Sequence, residues 1–533
     1  MLFNFQRTRY MRDDFQTVFS GGMVDTPDDG VAPADSYSFA ANFDLCGGRL
    51  VSRPAVEVVR ASTLGMEDVY GAAAFRFSDS AFGDVLFYVE HRPDEDSYAF
   101  CGYLLNAAGV YLQDMTIRFP DLFGSTDGRF YGSVTEPLAA PVVFVQVGPA
   151  AFCWVRRGAA VYCFRWDGSA TGTPLTGAFA AVSTVYGTAG YVPACQAAVF
   201  AYGRVFLAVE TAGGVYSSVS VSAPVDNSGV PKLVFTADKF DVGLGSSESI
   251  LGFESLGSGL IVVFKRNSVW LLTGCDGDPA QIVCECLDAD HGSVGRFAAV
   301  TFDQGCWFIS DDGIRVIDLG GRARPQPVTS GIAKLWARVA FGADPWTVPQ
   351  AVVYGDRLLF EVVLDSQVAY LVYSLSAKCW VGVWCGSDCR GSGLFVGDLL
   401  SGRQLKFLGD GLSVKAFSLT SPLLFNAAYA GVFQSRDFFG GAAVFKYFTR
   451  ARACFRSFGS TGGNAVALAV AGATVAGDTG SSVAHVMPAT HAAGVAWIVC
   501  FVGRYLRRCA LKLTFTAGSV EILSAGVSTS END

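Results

Sequence analysis

The chain has 533 residues, of which 51% are hydrophobic, 13% aromatic and only 16% charged, with 42 Phe and a formal net charge of −9. That length holds roughly two to four domains, whose cores need no disulfide or metal in order to fold. The acidic balance argues against a body that grips nucleic acid through clustered Lys and Arg, and 15 Cys, an odd number in a long chain, argue against a small disulfide scaffold.

The first 60 residues differ in kind from the rest. Residues 20–30 are acidic and turn-rich, with Gly21, Gly22, Asp28 and Asp29, and Cys46-Gly47-Gly48-Arg49-Leu50-Val51-Ser52-Arg53-Pro54 ends the segment. Little here can bury much surface alone, so residues 1–55 are expected to lie along a larger body as an extended docking arm. Residues 1–7 have no apolar run of the signal-peptide kind, and no Asn-x-Ser/Thr site occurs. The expectation is synthesis in a cytoplasm, with thiols reduced.

From 56 to 420 short β-branched and aromatic runs alternate with Gly, Asn and Asp turns. Residues 249–319 are the clearest example: 250–253, 260–264 and 269–272 form one meander, and 297–302, 306–309 and 314–317 another. Such runs are strand and hairpin signals. Four strands in roughly 35 to 45 residues, recurring, is the spacing of propeller blades. The predicted fold is therefore all-β, with a β-propeller of about six blades over 56–420. Beyond Ser421-Pro422 the pattern changes. Residues 465–475 read as a thin pair of strands, and Cys509, Leu511, Leu513 and Phe515 alternate with more polar neighbours, which places one face in a core. Residues 421–525 are expected to form a C-terminal β-sandwich, and 526–533 a polar tail. The uncharged runs 138–155 and 479–503 are broken by Pro and Gly and fall short of the roughly 20 unbroken apolar residues of a span. Each is predicted as two strands and a turn, so no membrane partner is expected.

Candidate chemistry is sparse. Cys284-Glu285-Cys286 with Asp288, Asp290 and His291 is the densest set of potential ligands, yet its Cys spacing is wrong for zinc. Cys379, Cys385 and Cys389 have no His near in sequence, and buried thiols of this sort serve as small hydrophobes. Only four His occur, and neither a G-x-S-x-G elbow nor a phosphate-cradling loop is present. Gly243-Leu244-Gly245 lacks the third Gly of a dinucleotide site. The pairs Asp28-Asp29 and Asp311-Asp312 stand in turn contexts. No catalytic, cofactor or metal residue is therefore assigned, and the chain is not expected to be an enzyme. Basic residues gather at Arg322 with Arg324, at Arg450 with Arg452, and at Arg504 with Arg507 and Arg508. They read as solvated strand faces or subunit contacts, and Arg322 and Arg324 as candidates for a DNA-channel lining.

Taken together, Gly21-Gly22, the acidic 25–29, Asn42-Phe43-Asp44 and Gly47-Gly48-Arg49-Leu50-Val51-Ser52-Arg53-Pro54 resemble the N-terminal fingerprint of a family of short-tailed phage proteins built on a β-propeller. Residues 264–274, Gly292-Ser293-Val294-Gly295, 308–315, 435–440 with Lys446-Tyr447, and Gly503-Arg504-Tyr505 are similar to later parts of that family. The resemblance implies a head-to-tail hub or tail nozzle, a homohexameric ring in the virion tail, assembled in the host cytoplasm. Such a ring continues the DNA channel below portal and adaptor and retains the genome until ejection. It implies as partners its own copies, adaptor or other tail proteins, tail fibres, and duplex DNA passing without sequence reading. Gly21, Gly22, Asp28, Asp29, Asn42, Asp44, Arg49, Arg53 and Pro54 would then serve assembly or docking. Cys46 before the Gly turn departs from the family pattern. The rival reading is a glycan-binding or glycan-hydrolysing propeller tail protein, which would cluster Trp and carboxylates on one propeller face.

Overall fold

In a computed structural model of the chain the described residues are 10–25, 33, 35–61, 68–76, 84–92, 97–106, 111–118, 129–131, 142–158, 160–170, 176–225, 231–243, 245–302, 305–324, 326–341, 349–386, 395–396, 405–408, 413–422, 430–436, 446–458, 466–473, 483–486, 494–506 and 508–531. The chain is all-β. The one α-helical turn among these residues is Ala333–Trp336.

Small antiparallel sheets follow one another along the chain. Asp68–Arg76, Asp84–Arg92, Ser97–Leu105 and Tyr111–Arg118 form the first, and Val143–Val147, Ala150–Arg157, Ala160–Trp166 and Thr176–Val182 the second. Their last strands pair in parallel through Thr116 and Thr176. The third contains Cys195–Ala201, Arg204–Val209, Ser218–Val221 and Phe240–Asp241, and the fourth Gly252–Gly257, Leu260–Phe264, Val269–Thr273 and Val283–Asp288. Ala299–Phe302, Gly305–Ser310 and Gly313–Ile317 make the fifth, and Gln350–Tyr354, Arg357–Leu364, Gln367–Ser374 and Cys379–Cys385 the sixth. A last sheet joins Phe395–Val396, Leu405–Leu408 and Ser413–Pro422 to Pro54–Ala61. From the first sheet to the sixth, opening strands of neighbouring sheets lie against each other, and the last sheet lies against Asp68–Arg76. The turns between strands use left-handed Gly at 203, 257, 259 and 355, a conformation that strains residues carrying a Cβ.

The other two sheets belong to the chain ends. Ser36–Ala41 runs between Cys379–Cys385 and Gly431–Ser435, and the sheet continues through Arg508–Phe515, Val466–Ala473 and Val483–Val486. A second sheet has the order Gly494–Leu506, Lys446–Phe458, Ser519–Glu531, Arg49–Ser52, Phe43–Cys46, with Tyr10–Gln16 also on Ser519–Glu531. Residues 466–473, expected within a pair of strands, form one strand paired on both sides. The run 142–155 does fold as two strands and a turn, and 479–503 contributes to two strands. Among the described residues no helix is long and apolar enough to cross a membrane.

The expected arm is woven into this body. Phe19, Tyr37, Phe43 and Leu50 are fully buried in one core with Trp307, Trp384, Phe433, Phe455 and Phe515. Ring contacts carry that core across both end sheets, with Phe43 against Phe515 at 5.9 Å and Phe515 against Phe455 at 5.4 Å. Gly22 lets the chain enter at this point. Its φ is +70°, and a Cβ there would lie 2.5 Å from Cβ of Cys379 and 2.6 Å from the Trp380 carbonyl oxygen. Gly22→Ala should therefore cost about 3 kcal/mol of unfolding free energy, whereas Gly47→Ala should cost about 1 kcal/mol, because Gly47 also has positive φ but nothing within 4 Å. Urea denaturation of the two variants side by side measures the difference, and equal losses would refute the close approach.

Candidate functional site

Among the residues singled out in the N-terminal segment, Asn42 and Arg53 bond each other beside Asp44, while Asp28 and Asp29 lie outside the described residues. Asn42 joins Ser36–Ala41 to Phe43–Cys46 at φ +60°, a left-handed conformation that Asn adopts more readily than bulkier residues. Its Nδ2 donates to the Ala430 carbonyl at 3.0 Å, while its Oδ1 accepts from Arg53 Nε at 3.0 Å and from the Cys385 amide at 2.9 Å. Its backbone amide donates to the Val383 carbonyl at 2.8 Å, and its carbonyl accepts from the Arg53 amide at 3.0 Å. One side chain thus ties together three stretches far apart in sequence. Arg53 is fully buried, and its Nη1 donates to the Pro54 carbonyl at 2.9 Å.

Asp44 continues the same junction. Its Oδ1 accepts from Arg357 Nε at 2.7 Å and from the Leu45 amide at 2.8 Å. Burial pushes the Asp44 carboxyl up, and the Arg357 guanidinium works against that. Arg357 also donates to the Leu45 carbonyl at 2.5 Å and bonds the Asp356 carboxylate. Trp384 Nε1 donates to the Phe43 carbonyl at 2.8 Å, and the Tyr37 hydroxyl to the Val381 carbonyl at 2.6 Å. Arg49 pairs with Glu521 at 2.8 Å, and Gly21 packs beside Asp35. Asn42 and Arg53 are buried and Asp44 is half-buried, and all three side chains are bonded within the chain. Sequence reading missed Arg357 and Trp384. Their signal is a charged residue beginning the largely apolar strand Arg357–Leu364 and a Trp one residue before the end of Cys379–Cys385.

A second polar cluster lies between the fourth and fifth sheets. Arg315 forms a two-pronged contact with Asp312 at 2.9 and 2.6 Å and lies 3.5 Å from Asp288. The His291 ring reaches Asp288 at 3.0 Å through Nδ1 and Asp312 at 3.6 Å through Nε2. The Arg315 guanidinium holds the Asp312 carboxyl below the usual carboxylate range, with its hydrogen bond as the largest cause. This arrangement is a charge clamp, with both His291 nitrogens turned to carboxylates. Among the described residues no group of three or more His, Cys, Asp or Glu is placed to hold a metal ion. Cys379 and Cys385 stand at opposite ends of one strand, and Cys389 lies outside the described residues.

Arg322 and Arg324 are exposed on a surface hairpin after Gly313–Ile317, where the Arg322 carbonyl accepts from the Asp318 amide at 3.0 Å and the Arg324 amide donates to Val316 at 2.9 Å. An open cavity of about 400 Å³ is lined by Asp25, Lys334, Arg338, Gln434 and Lys512, among others. Asp25 is held there by the amides of Lys334 and Leu335 at 3.1 and 2.6 Å.

No protein-family model matches the chain, and no curated protein matches it. Among solved structures, the enzymatically active domain of bacteriophage CBA120 tailspike protein 4 is similar at 11% identity and a TM-score of 0.16, over 21% of this chain and 16% of that one. KlHsv2 with loop 6CD replaced by a Gly-Ser linker is similar at 9% identity and a TM-score of 0.29, over 57% of this chain and 94% of that one. At these scores neither likeness says what this chain does.

Two outcomes follow from the junction and the clamp. Asn42→Ala should cost about 3 kcal/mol, and Asn42→Gly, which keeps the backbone conformation but loses the same side-chain bonds, about 1 kcal/mol less; chemical denaturation midpoints report both. Because Asp312 ionises more easily in the folded chain, its stabilisation is complete above the ordinary value of 3.8 and drains away as pH falls through the depressed folded value. Asp312→Asn should lower stability at pH 7 and flatten the acid limb below about pH 4, and parallel unfolding curves for variant and parent would contradict this.

Proposed function

We propose that the chain is a structural subunit of a ring in the tail of a short-tailed phage, a hub or nozzle that continues the DNA channel below portal and adaptor and retains the genome until ejection. The observation that carries this reading is the pairing of Pro54–Ala61 with Ser413–Pro422, in which Arg60 meets Val414 and Glu57 meets Ala416. A strand that precedes the first small sheet thereby completes the last one. We read the succession as a β-propeller closed by its own two ends, since pairing start to end leaves no terminal blade open. We read each of the seven successive groups of strands as a blade, the first two joined through Thr116 and Thr176 and the sixth continued by Ser36–Ala41, and the end sheets as the C-terminal sandwich.

Low charge and many aromatics suit extensive contacts between copies, and a closed ring requires heterologous contacts. In this reading the chain works without catalysis or cofactor, and its partners are its own copies, the adaptor, other tail proteins and tail fibres. Duplex DNA slides through an acidic lumen, with Arg322 and Arg324 as candidates for its sparse positive charge. Native mass measurement with low-resolution imaging tests this: the expected result is a ring of about six copies with a central hole wide enough for duplex DNA. A persistent monomer or trimer that binds or cleaves glycans would overturn it.

A further inference from the structure

We infer that copies of this chain join edge to edge, the strand Gly494–Leu506 of one copy pairing with Tyr10–Gln16 of the next. The inference rests on the ring reading above and supplies its interface. Gly494–Leu506 is the outermost strand of its sheet among the described residues, and residues 494–503 carry no Asp, Glu, Lys or Arg. One side of it is core, with Ile498 and Cys500 buried, while Val495, Trp497 and Phe501 on the other are 57%, 52% and 72% exposed. Natural edge strands are blunted by charge, Pro or bulges because their free N–H and C=O groups recruit another strand. The bulge opposite Thr449 and the charge of Arg504 lie at the far end of the strand, so 494–501 is a straight, uncharged apolar edge, of the kind that takes a partner strand.

The same sheet indicates which strand that is. Lys446–Phe458 occupies one side of Ser519–Glu531 along nearly its whole length, so Tyr10–Gln16 and Arg49–Ser52 share the other side. Beyond Arg49–Ser52, the outer strand Phe43–Cys46 has carbonyls taken by Trp384 and Arg357. Tyr10–Gln16 pairs with no second strand among the described residues. Gly494–Leu506, Lys446–Phe458, Ser519–Glu531 and Tyr10–Gln16 alternate in direction. Four is even, so the first strand of one copy meets the last of its neighbour antiparallel, and the alternation continues across every seam. The register also matches in height. Phe15, Gly526, Arg452 and Val499 stand in one row, and Asp13, Ser528, Arg450 and Phe501 in another. Arg450 and Arg452, from the interior strand Lys446–Phe458, stack on Phe501 and Phe15 at 5.3 and 4.6 Å, so an aromatic ring held from within the copy stands on each seam strand.

The test combines native mass with hydrogen exchange of peptides spanning 10–16 and 494–506 in the full chain, for the parent and for Trp497→Lys/Phe501→Lys, with circular dichroism as the folding control. The expected result is an oligomer in which both peptides gain at least about tenfold protection on assembly, with the folded variant needing at least about tenfold more protein to assemble. A variant that fails to fold leaves the exchange of the parent to decide. An oligomer that forms with both peptides unchanged overturns the seam and leaves the ring standing. A dimer protected only at 494–506 would mean that this edge pairs with itself, and overturns both. A parent that stays monomeric overturns both as well, and one that binds anionic lipid vesicles through Trp497 and Phe501 assigns the face to a membrane surface.

Discussion

The structure depends on how the N-terminal segment is seated between two bodies of sheet. Ser36–Ala41 lies between Cys379–Cys385 and Gly431–Ser435, and Asn42 at its end bonds the backbone of Val383, Cys385 and Ala430. A strand borrowed from the start of the chain thereby joins the sixth of the consecutive sheets to the C-terminal strands. Asn suits the position for two physical reasons. Its amide both donates and accepts, and its short polar side chain tolerates the positive φ needed to turn from one sheet into the next.

Packing reinforces this seat. Tyr37, Phe43, Trp384, Phe433 and Phe515 belong to one buried cluster that also takes in Trp307 of the fifth sheet. Edge-to-face and tilted aromatic pairs add about 0.5 to 1.5 kcal/mol each beyond the area they bury. The polar groups of the seat are hydrogen-bonded within the chain. A buried Arg such as Arg53 or Arg357 without such bonds would carry a desolvation cost of several kcal/mol, which is why the junction has so many backbone carbonyl acceptors. Asn42, Asp44 and Arg53 are therefore among the residues that hold the chain ends together.

Edges organise what remains. The small sheets protect their opening strands by laying them against one another, and the strand Pro54–Ala61 completes the final sheet. Gly494–Leu506 is treated differently, with an apolar outer face at Val495, Trp497 and Phe501. In the proposed seam this edge meets Tyr10–Gln16 of the next copy, which likewise pairs on one side only among the described residues.

Much of this was legible in the sequence. Alternation and turn residues located the meanders 250–272 and 297–317, because strand period and left-handed turn positions are local properties of a few residues. The pattern Cys509, Leu511, Leu513, Phe515 likewise predicted a buried face, and all four are buried. Residues 1–55 could be read only as a segment poor in apolar surface. That Ser36–Ala41 would become an interior strand depends on partners some 340 and 400 residues away, and pairing at such separations leaves no periodic trace in either segment. The partners of Asn42, Asp44 and Arg53 were hidden for the same reason, since polar residues near turns look alike whether they face water or a distant carbonyl. Composition and local pattern determined that the chain builds small sheets; only tertiary structure decided which sheet each end completes, because long-range strand pairing is set by the packing of the whole core.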